Sequence, residues 1–262
     1  DPISVEAGVE PALRRLVPLA RLAAARGAAL TLDMEQYERR DLTLELARRL
    51  LIDDDIGSSV ALGIVMQAYL RDAVPVAEEL IAWLRAPMRT HRGLAVRLVK
   101  GAYWDYEMAR AAQCGWPPPV YQAKWQTDES FERLTDLLVS CPDVIRLEIG
   151  SHNLRSIAHA MAAAEAAGLA HDAVEFQVLY GMGEAIQRAL GRLGYPVRVY
   201  APVGELIPGM AYLVRRLLEN TANESFLRQE LWDHAEAQEL LAPPTAGLAP
   251  PRGPADYEVI HG

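Results

Sequence analysis

The sequence predicts an α/β protein built from parallel βαβ units, with a closed barrel favoured over an open sheet. Three observations carry this. Short apolar segments rich in β-branched residues alternate with amphipathic helical stretches along the 262 residues. Five of the six strand candidates end in polar or ionisable residues, as expected where strand ends rim one mouth of a barrel. No Gly-x-Gly-x-x-Gly follows any strand, so the fingerprint of a dinucleotide-binding open sheet is missing.

The strand candidates are residues 28–33, 60–67, 95–100, 144–149, 174–179 and 197–200. Most are continuous apolar runs, as befits strands buried on both faces. Between them, Leu42, Leu46 and Leu50 recur every four residues, Phe131, Leu134, Leu137 and Leu138 mark a second helix, and Ile186, Leu190 and Leu193 a third. Gly181-Met182-Gly183 reads as a turn. Residues 242–262 are rich in Pro, Gly and Ala and read as a linker or tail, leaving 1–241 as the folded domain. Six strands are two short of the eight that a barrel needs.

Bulk properties narrow the function. The net charge of −9 argues against a nucleic-acid partner, so any anion site must be local. No apolar run reaches the roughly 18 residues of a membrane span. Cys114 and Cys141 form neither a disulfide framework nor a metal-ligand pattern, which points to a reducing, cytoplasmic setting. No HExxH or paired-cysteine motif supports a metal, and no Gly-x-Ser-x-Gly supports a serine hydrolase. The start at Asp1, without Met or signal peptide, reads as a processed, excised or incomplete chain.

Two segments carry candidate chemistry. Arg97 and Lys100 lie on one strand-like segment, where a cation is costly unless it meets anions or acceptors. Either they pair with Asp33 or Glu35 in the core, or Arg97 donates to an electron-rich ring that Gly101 and Ala102 allow to approach. Asp33 and Glu35 alternate in direction and cannot act together as a catalytic carboxylate pair without a bulge. In segment 208–220, Tyr212, Arg215, Arg216 and Glu219 share one helical face. Two guanidinium forks beside a tyrosine make a carboxylate receptor. The alternative is a solvated face with an Arg215–Glu219 pair, worth about 0.3–0.5 kcal/mol. Ser151-His152-Asn153 follows a strand directly, so His152 is either a structural hydrogen-bonding group or a contact to a cofactor phosphate or carbonyl.

The segments Arg97-Leu98-Val99-Lys100-Gly101-Ala102-Tyr103-Trp104-Asp105, Glu175-Phe176-Gln177-Val178-Leu179-Tyr180-Gly181-Met182-Gly183 and Tyr200-Ala201-Pro202-Val203-Gly204, followed by Tyr212-Leu213-Val214-Arg215-Arg216-Leu217-Leu218-Glu219-Asn220, resemble the proline dehydrogenase family. Within it they are most similar to the proline dehydrogenase domain of bacterial proline utilization A (PutA) proteins, over residues 10–230. The resemblance implies a distorted (β/α)8 TIM-type barrel whose first two strands are missing from this chain and whose last helix lies over the mouth. It implies FAD-dependent oxidation of L-proline to Δ1-pyrroline-5-carboxylate in proline catabolism, with hydride passing to flavin N5 and electrons to a membrane quinone, ubiquinone or menaquinone.

By the same resemblance, Arg97, Tyr103 and Asp33 are the catalytic group, with Arg97 near flavin N5 and Asp33 supporting the site, for instance through Tyr200. Arg215 and Arg216 clamp the proline carboxylate, and Tyr103, Leu179 and Tyr212 wall its ring. Gln67, Lys100, Gly101, Ala102, Trp104, Val120, Tyr121, Gln122, Ser151 and His152 contact FAD, and Glu219 its sugar or the arginine network. No dedicated base emerges, and solvent suffices. Fusion to an aldehyde dehydrogenase domain, peripheral association with the inner membrane and a homo-oligomeric state are compatible with the resemblance. An open barrel exposes strand edges. It implies that the chain alone is unstable or inactive, or is completed by another segment. A different flavin barrel and a non-enzymatic assembly module are the competing readings.

Overall fold

The structure is a computed structural model that describes residues 5–86, 93–205, 207, 209, 210, 212, 214 and 241–245. Its six strands are β1 (Ala29–Leu32), β2 (Ala61–Gln67), β3 (Leu94–Val99), β4 (Ile145–Gly150), β5 (Val174–Leu179) and β6 (Val197–Tyr200). They lie in chain order in one sheet, and every neighbouring pair is parallel. Each expected strand end falls within one residue of the observed one. The order never reverses, so there is no switch point of the kind that opens a doubly wound sheet. Successive crossovers of one hand curl the sheet into a half-barrel instead. Among the described residues, β1 and β6 each pair with one strand.

The outer face is clad by α1 (Val5–Ala25), α2 (Arg40–Ile52), the single turn α3 (Asp54–Gly57), α4 (Ala73–Leu84), α6 (Lys124–Val139), α7 (Leu154–Ala166) and α8 (Glu184–Arg192), while α5 (Trp104–Cys114) follows β3 and is tied by Glu107 to Tyr37 N–H, in the segment after β1. Strand alternation explains why. Ile64 and Met66 of β2, Val96 and Leu98 of β3, Leu147 and Ile149 of β4, and Phe176 and Val178 of β5 are all 5% exposed or less. They share one sheet face, and all but Val178 belong to the core that includes Phe131, Leu134 and Leu138 of α6 and their counterparts on the neighbouring helices. The intervening residues point the other way, and many are polar.

The helical spacing holds in the main. Leu46, Leu50, Phe131, Leu134, Leu138, Ile186 and Leu190 are buried. Leu193 is not part of its helix face: it caps α8 and is exposed. Gly181 and Gly183 adopt left-handed conformations in the turn before α8. Helix α1 escaped the periodicity because Pro11 and Pro18 lie inside it. In the expected helix 208–220, residues 209, 210, 212 and 214 are helical; Arg215, Arg216 and Glu219 lie outside the described residues. So does most of the Pro-rich tail, of which 242–245 are described and lie in turns and bends. No helix among the described residues is long and apolar enough to cross a membrane.

Phe131 is fully buried between α6 and the sheet. Phe131→Ala is expected to lower the unfolding free energy by about 3–5 kcal/mol, measured by urea titration.

Candidate active site

The inner face of the sheet is where the polar residues meet. Arg97 stands at the centre of β3, with its side chain 16% exposed. Its Nη1 donates to Asp33 Oδ1, just after β1, at 2.9 Å. Its Nε donates to Gln177 Oε1, on β5, at 2.6 Å. Asp33 and Gln177 belong to strands that do not neighbour β3, lying two places to either side. One side chain can reach both only on the concave side of a curled sheet, since adjacent strands are about 4.8 Å apart. The guanidinium carbon also lies 5.9 Å from the ring centre of Tyr200, and Tyr200 lies 5.7 Å from the ring of Tyr212. A continuous set therefore runs from Asp33 through Arg97 and Tyr200 to the start of the segment that bears Arg215 and Arg216.

Below Arg97, Gln177 Nε2 donates to Glu148 Oε2 and to Glu175 Oε1, each at 2.8 Å. Arg198 grips Glu175 with Nε and Nη2 at 2.6 and 2.7 Å. Arg146 Nη2 lies 3.4 Å from Glu148 Oε1. Three carboxylates (Asp33, Glu148, Glu175) thus face three guanidinium groups (Arg97, Arg146, Arg198). Such balance is what allows Glu148 to be 3% exposed as a paired group. Burial pushes the Glu175 carboxyl up, but hydrogen bonds from Arg198 and Gln177 and the nearby arginine charges outweigh it and hold the group below the usual carboxylate range.

A second constellation forms at the strand C-termini. The β2–β3 pairing continues past the strands, with Ala68 N–H donating to Val99 O and Tyr69 N–H to Lys100 O, both at 2.8 Å. Gly101 follows at φ 129°, and a Cβ there would stand 2.5 Å from the ring of Tyr69. Only glycine tolerates both conditions. Tyr121 N–H donates to Tyr69 O at 2.8 Å, Val120 bridges to Leu70, and Trp104 Nε1 donates to Tyr121 O at 2.8 Å. Gly101, Trp104, Val120 and Tyr121 are thereby joined around Tyr69; Ala102 and Gln122, beside them, are exposed. Tyr103 is the N-cap of α5.

Gln67 is 2% exposed at the end of β2. Its Nε2 donates to Met34 O and Glu35 O at 3.0 and 3.1 Å, which leaves Oε1 buried and without a partner among the described residues. On the far side of the mouth, Leu179 N–H donates to His152 Nε2 at 3.1 Å, tying the ends of β5 and β4 together. Ser151 Oγ accepts from Asn153 N–H at 3.1 Å.

The core-pairing alternative for the two cations therefore splits. Arg97 does pair with Asp33, whereas Lys100 meets neither Asp33 nor Glu35. Its ammonium bonds to Asp128 on α6, because residue 100 follows Arg97 by an odd step and emerges on the helix side. Burial lowers its basicity, and Asp128 partly restores it. The bond of Asp33 goes to Arg97, which in turn lies beside Tyr200, so Asp33 reaches that tyrosine through the guanidinium. Gln177, Glu148, Glu175, Arg146 and Arg198 join the site although no motif in the sequence marked them for it. Their signal was the polar residue at every second position of β4, β5 and β6. Among the described residues, no group of three or more His, Cys, Asp or Glu is placed to hold a metal ion.

Residues 1–229 match the proline dehydrogenase family. The chain is similar to the bifunctional protein PutA of Escherichia coli, 36% identical over 244 residues, which is 89% of this chain and 18% of that protein. It is similar also to the proline dehydrogenase of Deinococcus radiodurans, 32% identical over 203 residues, covering 78% of this chain and 57% of the other. Among solved structures it resembles proline utilization A from Bdellovibrio bacteriovorus inactivated by N-propargylglycine, with a TM-score of 0.88 and 43% identity over 97% of this chain and 27% of that one. The chain thus spans only about a fifth of the length of the PutA relatives that it matches.

The Glu175 carboxyl supplies a pH test. Its folded-state pKa lies below its unfolded value, so its stabilisation is present above about pH 4.3 and is lost as pH falls through the folded value. Glu175→Gln is expected to be less stable than the parent near neutrality. Melting temperatures measured across the acid range should show the gap narrowing below about pH 4.3.

Proposed function

Because the chain belongs to the proline dehydrogenase family, we propose that it forms most of the flavin-dependent barrel that oxidises L-proline to Δ1-pyrroline-5-carboxylate in a PutA-type protein. The observation that carries this reading is Arg97, fixed between Asp33 and Gln177 on the concave face and continuous with Tyr200 and Tyr212. Two further strands, supplied by another segment, would pair with the edges of β1 and β6 and complete eight.

The residues present fit a flavin. Gln67 offers a buried acceptor that lacks a partner among the described residues, which a ring N–H would satisfy. Arg97 offers a positive charge with its position set from two sides. FAD, when bound, supplies the acceptor for the hydride leaving proline C5 and the route for electrons to a membrane quinone. The chain's own groups bind and orient. Arg97 favours the negative charge that develops on reduction. Gln67, the backbone at Lys100, Gly101 and Ala102, and Trp104, Val120, Tyr121, Gln122, Ser151, His152 and Glu219 hold the cofactor. Lys100 contributes while its ammonium is anchored to Asp128. Arg215 and Arg216 grip the substrate carboxylate, and Tyr103, Leu179 and Tyr212 enclose its ring. Holding the ring against its acceptor in this way converts an encounter into a positioned reaction. Similarity to relatives named bifunctional is consistent with a second enzymatic domain in the parent protein; the reading adds that this domain is an aldehyde dehydrogenase and that the cytoplasmic protein docks peripherally on the inner membrane.

Two measurements test the reading. Purified together with the segment that completes the barrel, the protein should carry flavin absorbance near about 450 nm that L-proline bleaches and other amino acids do not, the colour being that of the bound ring itself. Arg216→Met should weaken proline binding about 10- to 100-fold, the worth of a hydrogen bond to a charged group. Flavin bleaching titrated with proline reads this directly, and an unchanged affinity removes the clamp role.

A further inference from the structure

We infer that Gln177 is the positioning residue for Arg97, with its amide held in the one useful orientation by Glu148 and Glu175. This rests on the reading of Arg97 as the flavin-facing charge.

The two ends of a glutamine amide are nearly equal in shape and opposite in hydrogen-bonding sense. Turned one way, Gln177 presents oxygen to the Arg97 Nε–H; turned the other, it sets N–H against N–H. The two carboxylates decide. Nε2 donates one hydrogen to Glu148 Oε2 and the other to Glu175 Oε1, both at 2.8 Å. A flipped amide would put its oxygen against both anions. The oxygen is thereby committed to Arg97, at 2.6 Å. The carboxylates are themselves held, Glu175 by both nitrogens of an Arg198 fork and Glu148 by Arg146. The order runs from Arg198 through Glu175 and Gln177 to Arg97, and each bond polarises the next.

Asp33 alone would not orient the guanidinium. Its side chain is 57% exposed, and it meets Nη1 only. One bond to one terminal nitrogen leaves the guanidinium plane free to swing. A second bond, to Nε from the opposite side, fixes the plane. Gln177 is 6% exposed and sits in a sheet interior, so it is the rigid member of the pair. Placed two strands from Arg97, it also makes the orientation depend on the curl of the sheet.

The test is a double-mutant cycle on the flavin-loaded protein, with Arg97→Met, Gln177→Met and the double variant. The rate of flavin reduction at saturating L-proline and the flavin reduction potential are the readouts, and both report the charge beside the ring, not fold stability. Gln177→Met is expected to slow reduction roughly tenfold and shift the potential downward, the scale of one misplaced hydrogen bond. On the Arg97→Met background it should change neither. Effects that add, or a Gln177→Met protein that reduces at the parent rate while Arg97→Met is slow, overturn the inference alone. Arg97→Met with parent rate and potential overturns the flavin reading, and the inference with it. Should Gln177→Met not fold, Gln177→Asn carries the same cycle. It stays polar but is one methylene too short to span from Glu148 to Arg97, and parent behaviour there is equally decisive.

Discussion

A guanidinium group on the inner face of a β-sheet must find acceptors, because its desolvation is not recovered by packing. Arg97 finds them on β1 and β5, strands that lie two places away on either side. A flat sheet would hold these acceptors too far apart for one side chain. The curl that builds a barrel and the contacts that build the site are therefore the same geometric fact. The rest of the inner face follows from it. Gln177 needs donor sites for its amide, Glu148 and Glu175 supply them, and Arg146 and Arg198 neutralise those carboxylates. The outer face answers a different demand, and its aliphatic residues on β2 to β5 are buried.

Much of the fold was legible because both faces wrote their own pattern. The outward residues of β2 to β5 are apolar without exception, and strand ends could be placed from them. Helix α2 and helix α6 declared themselves by leucines and phenylalanine at helical spacing. Helix α1 did not, since Pro11 and Pro18 interrupt the expectation of a helix although the chain is helical through both, from Val5 to Ala25. Leu193 was misplaced because periodicity cannot tell the last turn of a helix from its cap.

The site was half legible. Arg97 stood out as a cation in an apolar strand, and Asp33 was a named partner for it. That Lys100 belongs to Asp128 needed the parity of the strand and the position of α6, neither of which is a local property. Glu148, Glu175, Gln177 and Arg198 were visible as alternating polar residues, but only the parallel register brings them into one layer. The family resemblance made Gly101 and Trp104 cofactor contacts, whereas the structure shows a structural role for each. Gly101 leaves room for Tyr69, and Trp104 bonds the loop that carries Tyr121. Arg215, Arg216 and Glu219 lie outside the described residues, and Tyr212 is the point at which their segment meets the site.

The most direct measurement is a high-resolution crystal structure of the flavin-loaded protein with a proline analogue bound. Arg97 is expected to point at the flavin with its bonds to Asp33 and Gln177 both retained, and the analogue to lie between that ring and Tyr212. A guanidinium turned away from the ring, or freed from Gln177 in the loaded state, would contradict that expectation.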